Sequence, residues 1–200
     1  MIPRFYMIVD SVAWIERLIP AGVKLFQLRI KGASTPSLES DIARAIRCCR
    51  EANALCVIND YWQLAIDLGA DYVHLGQEDL DTADLAAIRA AGIKLGISTH
   101  SHEELDRALS CQPDYIALGP VYPTILKKMP WAPQGTARIA EWKQLAGDTP
   151  IVAIGGLTVE RAPAVLAAGS DSLAVVTDVT LHPEPENRVA EWLRVTGSAS

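Results

Sequence analysis

Eight short apolar runs recur along the chain, and segments with helical spacing lie between them. Because strands that alternate with helices form a parallel sheet, eight such units close most simply into a barrel inside a ring of helices. The sequence therefore predicts an α/β fold, a single (β/α)8 TIM barrel that occupies residues 1–200 as one domain. The runs are FYMIV (5–9), KLFQLRI (24–30), LCVI (55–58), YVHL (72–75), KLGIS (94–98), YIALG (115–119), IVAIG (151–155) and LAVV (173–176).

The structural alternative is an open, doubly wound sheet. Such a sheet commonly carries a glycine-rich GxGxxG turn after its first strand, and no such motif follows residues 5–9. A length of 200 residues and an apolar fraction of 50% suit one large core. The barrel is therefore the favoured prediction.

Charge and cysteine usage limit the possible partners and the compartment. A net charge of -6 argues against an extended surface for nucleic acid or for an anionic membrane. The four cysteines show no CxxC spacing, which indicates reduced thiols. The N-terminus lacks the pattern of a signal peptide, and no apolar stretch approaches the length of a membrane span. We expect a cytoplasmic protein in which any phosphate chemistry is local, and homo-oligomer formation stays open.

Polar side chains alternate in the second run. Gln27, Arg29 and Lys31 share one face of this strand, and the apolar residues between them take the other. If the apolar face packs against the helices, an amide and two cations line the mouth of the barrel, where chemistry takes place in this fold. The alternative is a salt-bridged interior with a solvated strand end.

Carboxylates follow the next two strands, as Asp60 after the third and Asp79 after the fourth. Asp60 alone would be read as a helix N-cap, but with Asp79 on the adjacent strand a shared cation becomes the better hypothesis. Two carboxylates that leave positions for water and phosphate oxygens are typical of Mg2+. Zinc is less suited. The HxH pair of His100 and His102 follows the fifth strand, whereas metal-dependent amidohydrolase barrels carry such a pair at the end of the first strand. His74 is interpreted as a hydrogen-bonded core histidine.

The remaining strand ends offer neutral donors. Of the pair after the fifth strand, Ser98 suits pocket lining and Thr99 suits helix capping. A proline-rich connection at 119–135 is long enough to be a functional lid and carries Thr124 and Lys127. Gly155 and Gly156 end the seventh strand, where backbone N–H groups can approach a phosphate, although a tight turn would also explain them. The eighth strand ends at Val176 and Thr177.

Taken together, several segments resemble the thiamine phosphate synthase family in its enterobacterial form, and the similarity runs through nearly the whole chain. The block INDYWQLAIDLGADYVHLGQEDL is highly specific, whereas AIGG occurs in several phosphate-binding barrels. The other segments that carry the resemblance are FQLRIK, LGISTH, YIALGPVYPT, APQG and PIVAIGG.

The resemblance implies a transferase that condenses an aminopyrimidine diphosphate with a thiazole phosphate and releases pyrophosphate. In that family the reaction is dissociative and Mg2+-assisted: the amino group of the pyrimidine pushes electrons as pyrophosphate leaves, and the thiazole nitrogen captures the resulting cation. The catalytic set implied is Arg29, Lys31, Ser98 and Lys127. The implied binding roles are Asp60 and Asp79 for Mg2+, Arg29, Lys31, Asn59 and Lys127 for the diphosphate, Gln27 and Ser98 for the aminopyrimidine, and Thr124, Gly156, Val176 and Thr177 for the thiazole phosphate.

Two positions depart from the family pattern. Leu126 stands where a threonine hydroxyl is usual, and Asp178 stands where a small residue is usual. A carboxylate that pointed at a phosphate would repel it, so Asp178 either faces away or weakens binding. The functional alternatives are a related barrel similar to the thiazole tautomerases and a non-catalytic sensor of a phosphate ligand.

Overall fold

The computed structural model describes residues 1–32, 35–124 and 132–198. Its strands form one closed parallel barrel in sequence order, with the last strand paired to the first. The predicted (β/α)8 barrel is confirmed, and the open sheet is excluded. The strands are β1 (Phe5–Val9), β2 (Leu25–Leu28), β3 (Leu55–Asn59), β4 (Tyr72–Leu75), β5 (Lys94–Thr99), β6 (Tyr115–Leu118), β7 (Ile151–Ile154) and β8 (Ser172–Val175).

Helices connect successive strands and surround the barrel. A 3-10 turn at Asp79–Asp81 follows β4, and a helix of four residues follows β8. The helices are α1 (Val12–Leu18), α2 (Thr35–Glu51), α3 (Trp62–Leu68), α4 (Leu85–Ala90), α5 (His102–Ser110), α6 (Gly135–Leu145), α7 (Ala162–Ala167), α8 (Thr177–Thr180) and α9 (Pro185–Val195).

Alternation along the strands divides the apolar residues between two cores. Phe5, Met7 and Val9 of β1 belong to the large layer between the strands and the helices. Tyr6 and Ile8, one position out of phase, belong to the smaller cluster inside the barrel. Side chains of a strand point to opposite faces in turn, so each strand supports both cores and is buried on both sides. The continuous apolar runs in the sequence follow from this burial.

The prediction that Thr99 caps the next helix is wrong. Ser101 is the N-cap of α5, and its hydroxyl accepts a hydrogen bond from the Glu104 N–H. Thr99 is fully buried: its hydroxyl donates to the Ala117 carbonyl at 3.1 Å and accepts from Trp142 Nε1 at 3.0 Å. The residue lies on the helix-facing side of β5, and Ser98 therefore points into the barrel.

The cysteines are free thiols in the structure: Cys49 and Cys56 are buried, and Cys48 and Cys111 are partly exposed. Within the described ranges, every helix is too short or too polar to cross a membrane.

Candidate active site

The mouth of the barrel collects the polar side chains that follow the strands. In β2, Phe26 and Leu28 pack in the helix-facing layer, whereas Gln27 points inward and donates its Nε2–H to the Tyr6 hydroxyl at 2.7 Å. Arg29 follows in the same phase and is partly exposed, and Lys31 is exposed at the rim. The inward amide and the cations at the mouth therefore follow the alternation read from the sequence.

Asp60 lies beside Asp79 at the mouth. Burial, the negative charge of Asp79 and a hydrogen bond to it raise the pKa of Asp60 to about 6, against the opposing effect of Arg29 and Lys31. Two carboxylates forced together in a partly dry site raise the pKa of one of them, and a bound cation relieves the same repulsion. The donor set thus fits a hard divalent cation.

Backbone geometry supports this placement. Asp60 adopts a left-handed conformation with φ of 67°, which is uncommon outside glycine and most accessible to Asp and Asn. Tyr61, and not Asp60, is the N-cap residue of α3, and no side chain caps this helix. The capping alternative is therefore excluded. Asp79 is held by its own turn, since its Oδ2 accepts a hydrogen bond from the Gly76 N–H at 3.0 Å.

The two histidines of the HxH sequence bind different glutamates. His100 Nδ1 lies 2.8 Å from Glu104 Oε2, and His102 Nε2 lies 2.7 Å from Glu141 Oε1. Among the described residues, no group of three or more His, Cys, Asp and Glu side chains is arranged to hold a metal. A cation held by Asp60 and Asp79 would take its remaining ligands from water or substrate.

His74 is buried in the barrel interior, as interpreted from the sequence, but it also contacts a predicted site residue. Its Nδ1 lies 2.8 Å from the Tyr115 hydroxyl, and its Nε2 lies 2.8 Å from Ser98 Oγ. Burial, with a smaller effect of Arg29, lowers the pKa of His74 to about 4, so the ring is neutral near pH 7. Asn59 is also buried, at the carboxyl end of β3 and beside His74 in the strand register.

A pocket opens at the mouth between the ends of β5 to β8. It lies next to the ends of β3 and β4, which Asp60 and Asp79 follow. It contains about 660 Å3 of empty space, part of it open to solvent. Aspartate, glutamate, lysine and arginine are absent from its lining within the described ranges. The predicted site residues that line the pocket are Ser98, Thr124, Gly156, Val176 and Thr177.

Glycine is required where β7 ends. Gly155 and Gly156 have φ values of 100° and 62°. A Cβ on Gly156 would lie 2.4 Å from the Pro123 carbonyl oxygen, and one on Gly155 would lie 2.6 Å from Pro120. The two glycines are thus needed for a tight turn between strand and helix, which was the alternative explanation of this motif. The same turn also forms one wall of the pocket. The two readings of this motif are therefore compatible.

Asp178 faces away from the pocket. Its carboxylate accepts hydrogen bonds from Arg188 Nε at 2.9 Å, Arg188 Nη2 at 3.0 Å and Trp192 Nε1 at 2.7 Å. The side chains of Asp178 and Arg188 are 11% and 12% exposed. Of the two possibilities left by the sequence, the structure selects the one in which this carboxylate does not point at the pocket.

The predicted residue Lys127 and the departure at Leu126 lie outside the described residues, within 125–131. Sequence reasoning assigned no role to Tyr6 and Tyr115, whose hydroxyls lie 2.9 Å apart inside the barrel. One signal was available for Tyr115, because Gly96 interrupts the adjacent strand and pairs with it in register.

Comparison with known proteins agrees with the fold. The family model for thiamine monophosphate synthase matches residues 5–179. The chain is 60% identical over 192 residues to the thiamine-phosphate synthase of Rhizobium etli, covering 96% of this chain and 94% of that protein. It is 54% identical over 192 residues to the Salmonella paratyphi B enzyme of the same name, covering 96% of this chain and 91% of the other. A solved thiamine phosphate pyrophosphorylase from Pyrococcus furiosus superposes with a TM-score of 0.87 at 27% identity, covering 98% of this chain and 96% of that one.

Proposed function

Because the chain belongs to the thiamine monophosphate synthase family, we propose that its barrel mouth joins an aminopyrimidine diphosphate to a thiazole phosphate with the help of Mg2+. The protein is a transferase of thiamine biosynthesis, and the product is thiamine phosphate. The metal, the roles of individual residues and a cytoplasmic location, which free cysteines favour, are parts of the proposal.

The Asp60 and Asp79 pair is the observation that carries the metal assignment. The pKa of Asp60 rises to about 6 beside a second carboxylate, so the positive charges of Arg29 and Lys31 do not fully offset burial and the repulsion between the two carboxylates. Mg2+ bound there would neutralise negative charge on the leaving pyrophosphate. Arg29 and Lys31 contribute to the electrostatics of the same pair, which suits the diphosphate role proposed for them.

The two substrates are proposed to occupy opposite sides of the mouth. Asn59 and Lys127 would join the two cations at the diphosphate, and Gln27 and Ser98 would bind the pyrimidine ring. The thiazole phosphate would be held in the pocket by Thr124 and by backbone N–H groups, since the lining is free of carboxylates within the described residues. The residues proposed to supply those N–H groups are Gly156, Val176 and Thr177.

The reaction proposed is dissociative and needs no nucleophile from the protein. The amino group of the pyrimidine releases electron density as pyrophosphate departs, and the thiazole nitrogen captures the cation. Catalysis then depends on stabilising the leaving group and on keeping water from the cation. Arg29 and Lys31 are suited to the first task, because a positive charge placed beside the leaving group stabilises the negative charge that develops on it.

The experiment is a turnover assay with both substrates, in which pyrophosphate and thiamine phosphate are measured with Mg2+ and with EDTA. Asp79→Asn should lose roughly 100-fold or more in kcat, since charge stabilisation by a metal is worth several kcal/mol. Asp81→Asn is the matched control, because Asp81 lies on the same turn but is 68% exposed and paired with Arg107. Full activity in EDTA would refute the metal role, and tight ligand binding without turnover would favour a sensor.

A further inference from the structure

A line of hydrogen bonds crosses the interior of the barrel and ends at the two residues proposed to bind the pyrimidine, Gln27 and Ser98. Gln27 Nε2 lies 2.7 Å from the Tyr6 hydroxyl, which lies 2.9 Å from the Tyr115 hydroxyl. That hydroxyl lies 2.8 Å from His74 Nδ1, and His74 Nε2 lies 2.8 Å from Ser98 Oγ. The line therefore joins β2 to β5 through residues of β1, β6 and β4.

Packing fixes the members of this line in place. The three interior side chains are almost fully buried, with exposures of 1% for Tyr6, 0% for Tyr115 and 7% for His74. The Tyr115 ring stacks on His74 at a centroid distance of 5.6 Å and meets Tyr6 edge-on at 6.0 Å. Gly96 makes room for Tyr115, because a Cβ at that position would lie 2.1 Å from Tyr115 Cζ. This packing holds the rings, and with them the hydroxyl oxygens, in place.

The order of protons along the line follows from its first member. The amide nitrogen of Gln27 can only donate, so the Tyr6 oxygen accepts from it. Among the described residues Tyr115 is the other partner of the Tyr6 hydroxyl, so the Tyr6 proton has its acceptor there. The Tyr115 proton then goes to His74 Nδ1. A neutral imidazole that accepts at Nδ1 carries its proton on Nε2, and that N–H donates to Ser98 Oγ.

A protonated His74 would break this order, because it would donate from both nitrogens and leave a phenol proton without an acceptor. Both ring nitrogens face hydroxyl oxygens, and the ring is buried, so an imidazolium there would lack a contacting carboxylate among the described residues. The neutral ring with the proton on Nε2 is the state that satisfies every contact.

We propose that Tyr6, Tyr115 and His74 are positioning residues that fix which groups Gln27 and Ser98 present to the pyrimidine. With its Nε2 bound to Tyr6, Gln27 offers its Oε1 as an acceptor. With its oxygen bound to the imidazole N–H, Ser98 offers its hydroxyl proton as a donor into the pocket that it lines. This inference rests on the proposed function, because it concerns how that site recognises one of its substrates.

The consequence is specificity for an aminopyrimidine. An exocyclic amino group donates and the neighbouring ring nitrogen accepts, which matches an acceptor on one side and a donor on the other. The 4-oxo analogue presents a carbonyl acceptor and a ring N–H donor instead, so it would meet like groups at both positions. A site built on polar complementarity rejects such analogues strongly, because buried groups are left unpaired.

The proton order can be tested in the ligand-free protein by 15N NMR of labelled histidine, with the His74 signals assigned by their loss in His74→Gln. We expect the Nε2–H tautomer in the wild type and a smaller fraction of it in Tyr115→Phe, where Nδ1 loses its donor. The Nδ1–H tautomer in the wild type would reverse the line and overturn the inference. This outcome is independent of turnover, so it remains decisive even if the proposed reaction fails.

Kinetics test the functional consequence. Tyr6→Phe and Tyr115→Phe should each raise the KM of the pyrimidine diphosphate about 10-fold and leave the KM of the thiazole phosphate unchanged, which corresponds to one weakened hydrogen bond. Both should reduce the preference for the amino substrate over its 4-oxo analogue. Tyr72→Phe is the control, because this phenol lies in the same barrel interior but outside the line.

Two substitutions of His74 distinguish a positioning role from a packing role. His74→Gln retains an N–H donor near the ε position and should keep more of the amino preference than His74→Leu, which has none. The inference is wrong, and the residues act only by packing, if His74→Gln and His74→Leu lose the amino preference to the same extent. It is also wrong if Tyr6→Phe, Tyr115→Phe and both His74 variants change the KM values of both substrates in the same way as Tyr72→Phe. Absence of thiamine phosphate with the wild-type protein would instead refute the proposed function.

Discussion

Replacing Asp178 with alanine should lower the free energy of unfolding by about 3 kcal/mol, the low end of the cost of removing one partner from a buried ion pair. The change removes the bidentate contact to Arg188 and leaves the Trp192 indole N–H without its acceptor. The low end applies because Arg188 keeps contacts with Glu191 at 2.6 Å and Glu160 at 3.1 Å, whose side chains are 43% and 69% exposed.

Urea titration measures the effect, and for a protein of this size about 3 kcal/mol corresponds to a fall in Tm of roughly 6–12 °C. Glu160→Gln is the matched control: it removes the most exposed partner of the same guanidinium and should cost at most about 1 kcal/mol. A loss below about 1 kcal/mol for Asp178→Ala would refute the reasoning, since it would mean that this pair contributes no more than a surface ion pair.

The same residue has a functional test. Asp178 lies one position after Thr177, so loss of its anchor should disturb the turn that lines the pocket and raise the KM of the thiazole phosphate. Asp178→Asn keeps the shape and removes the charge. If the carboxylate repelled the phosphate, this variant would lower that KM, whereas a carboxylate committed to Arg188 predicts no decrease.

Three further predictions concern the mouth and the interior. The pKa of Asp60 is raised to about 6 from 3.8, so without divalent cations the free energy of unfolding should fall as the pH rises between these values, because the folded state alone keeps the proton. Urea titrations in EDTA across this range should show that Asp79→Asn flattens the dependence. Gly96→Ala should destabilise the fold by about 1–3 kcal/mol or more, through overlap with Tyr115, in the same titration. Arg29→Ala should weaken binding of the pyrimidine diphosphate by about 10- to 150-fold and leave binding of the thiazole phosphate unchanged, as steady-state kinetics would show. Equal losses for both substrates would contradict the assignment of Arg29 to the diphosphate.

The sequence was sufficient to predict the barrel and the strand ends at which the described mouth residues lie. Period-two alternation placed Gln27 inside, and the ends of adjacent strands brought Asp60 and Asp79 together, because parallel strands share one edge. The error at Thr99 has a local cause: a threonine before a helix suits a cap, and only the packing of Trp142 against it shows otherwise. Sequence patterns of this kind report on residues within one strand and the turn after it, and not on contacts with other segments of the chain.

Contacts across the barrel were beyond these patterns. Tyr6 and Tyr115 are separated by 109 positions, and both lie in apolar runs where tyrosine is a common strand residue. The Asp178 carboxylate could not be oriented from the sequence either, because its partner Arg188 lies on a separate helix. In each case the decisive information is which side chains from distant segments meet, and strand periodicity does not contain it.

The interior of the barrel is neutral and the mouth is charged. The proposed orientation of hydrogen-bonding groups is therefore separated from the proposed binding of a cation. Burial lowers the pKa of His74 to about 4 and raises the pKa values of Tyr6 and Tyr115, so the line of hydrogen bonds is neutral near pH 7. A neutral line orients donors and acceptors without the cost of burying ions. The groups that respond to pH and to cations are instead at the mouth, around Asp60. If the site binds its substrate as proposed, recognition of the pyrimidine would therefore stay constant while the occupancy of the proposed metal site changes with pH.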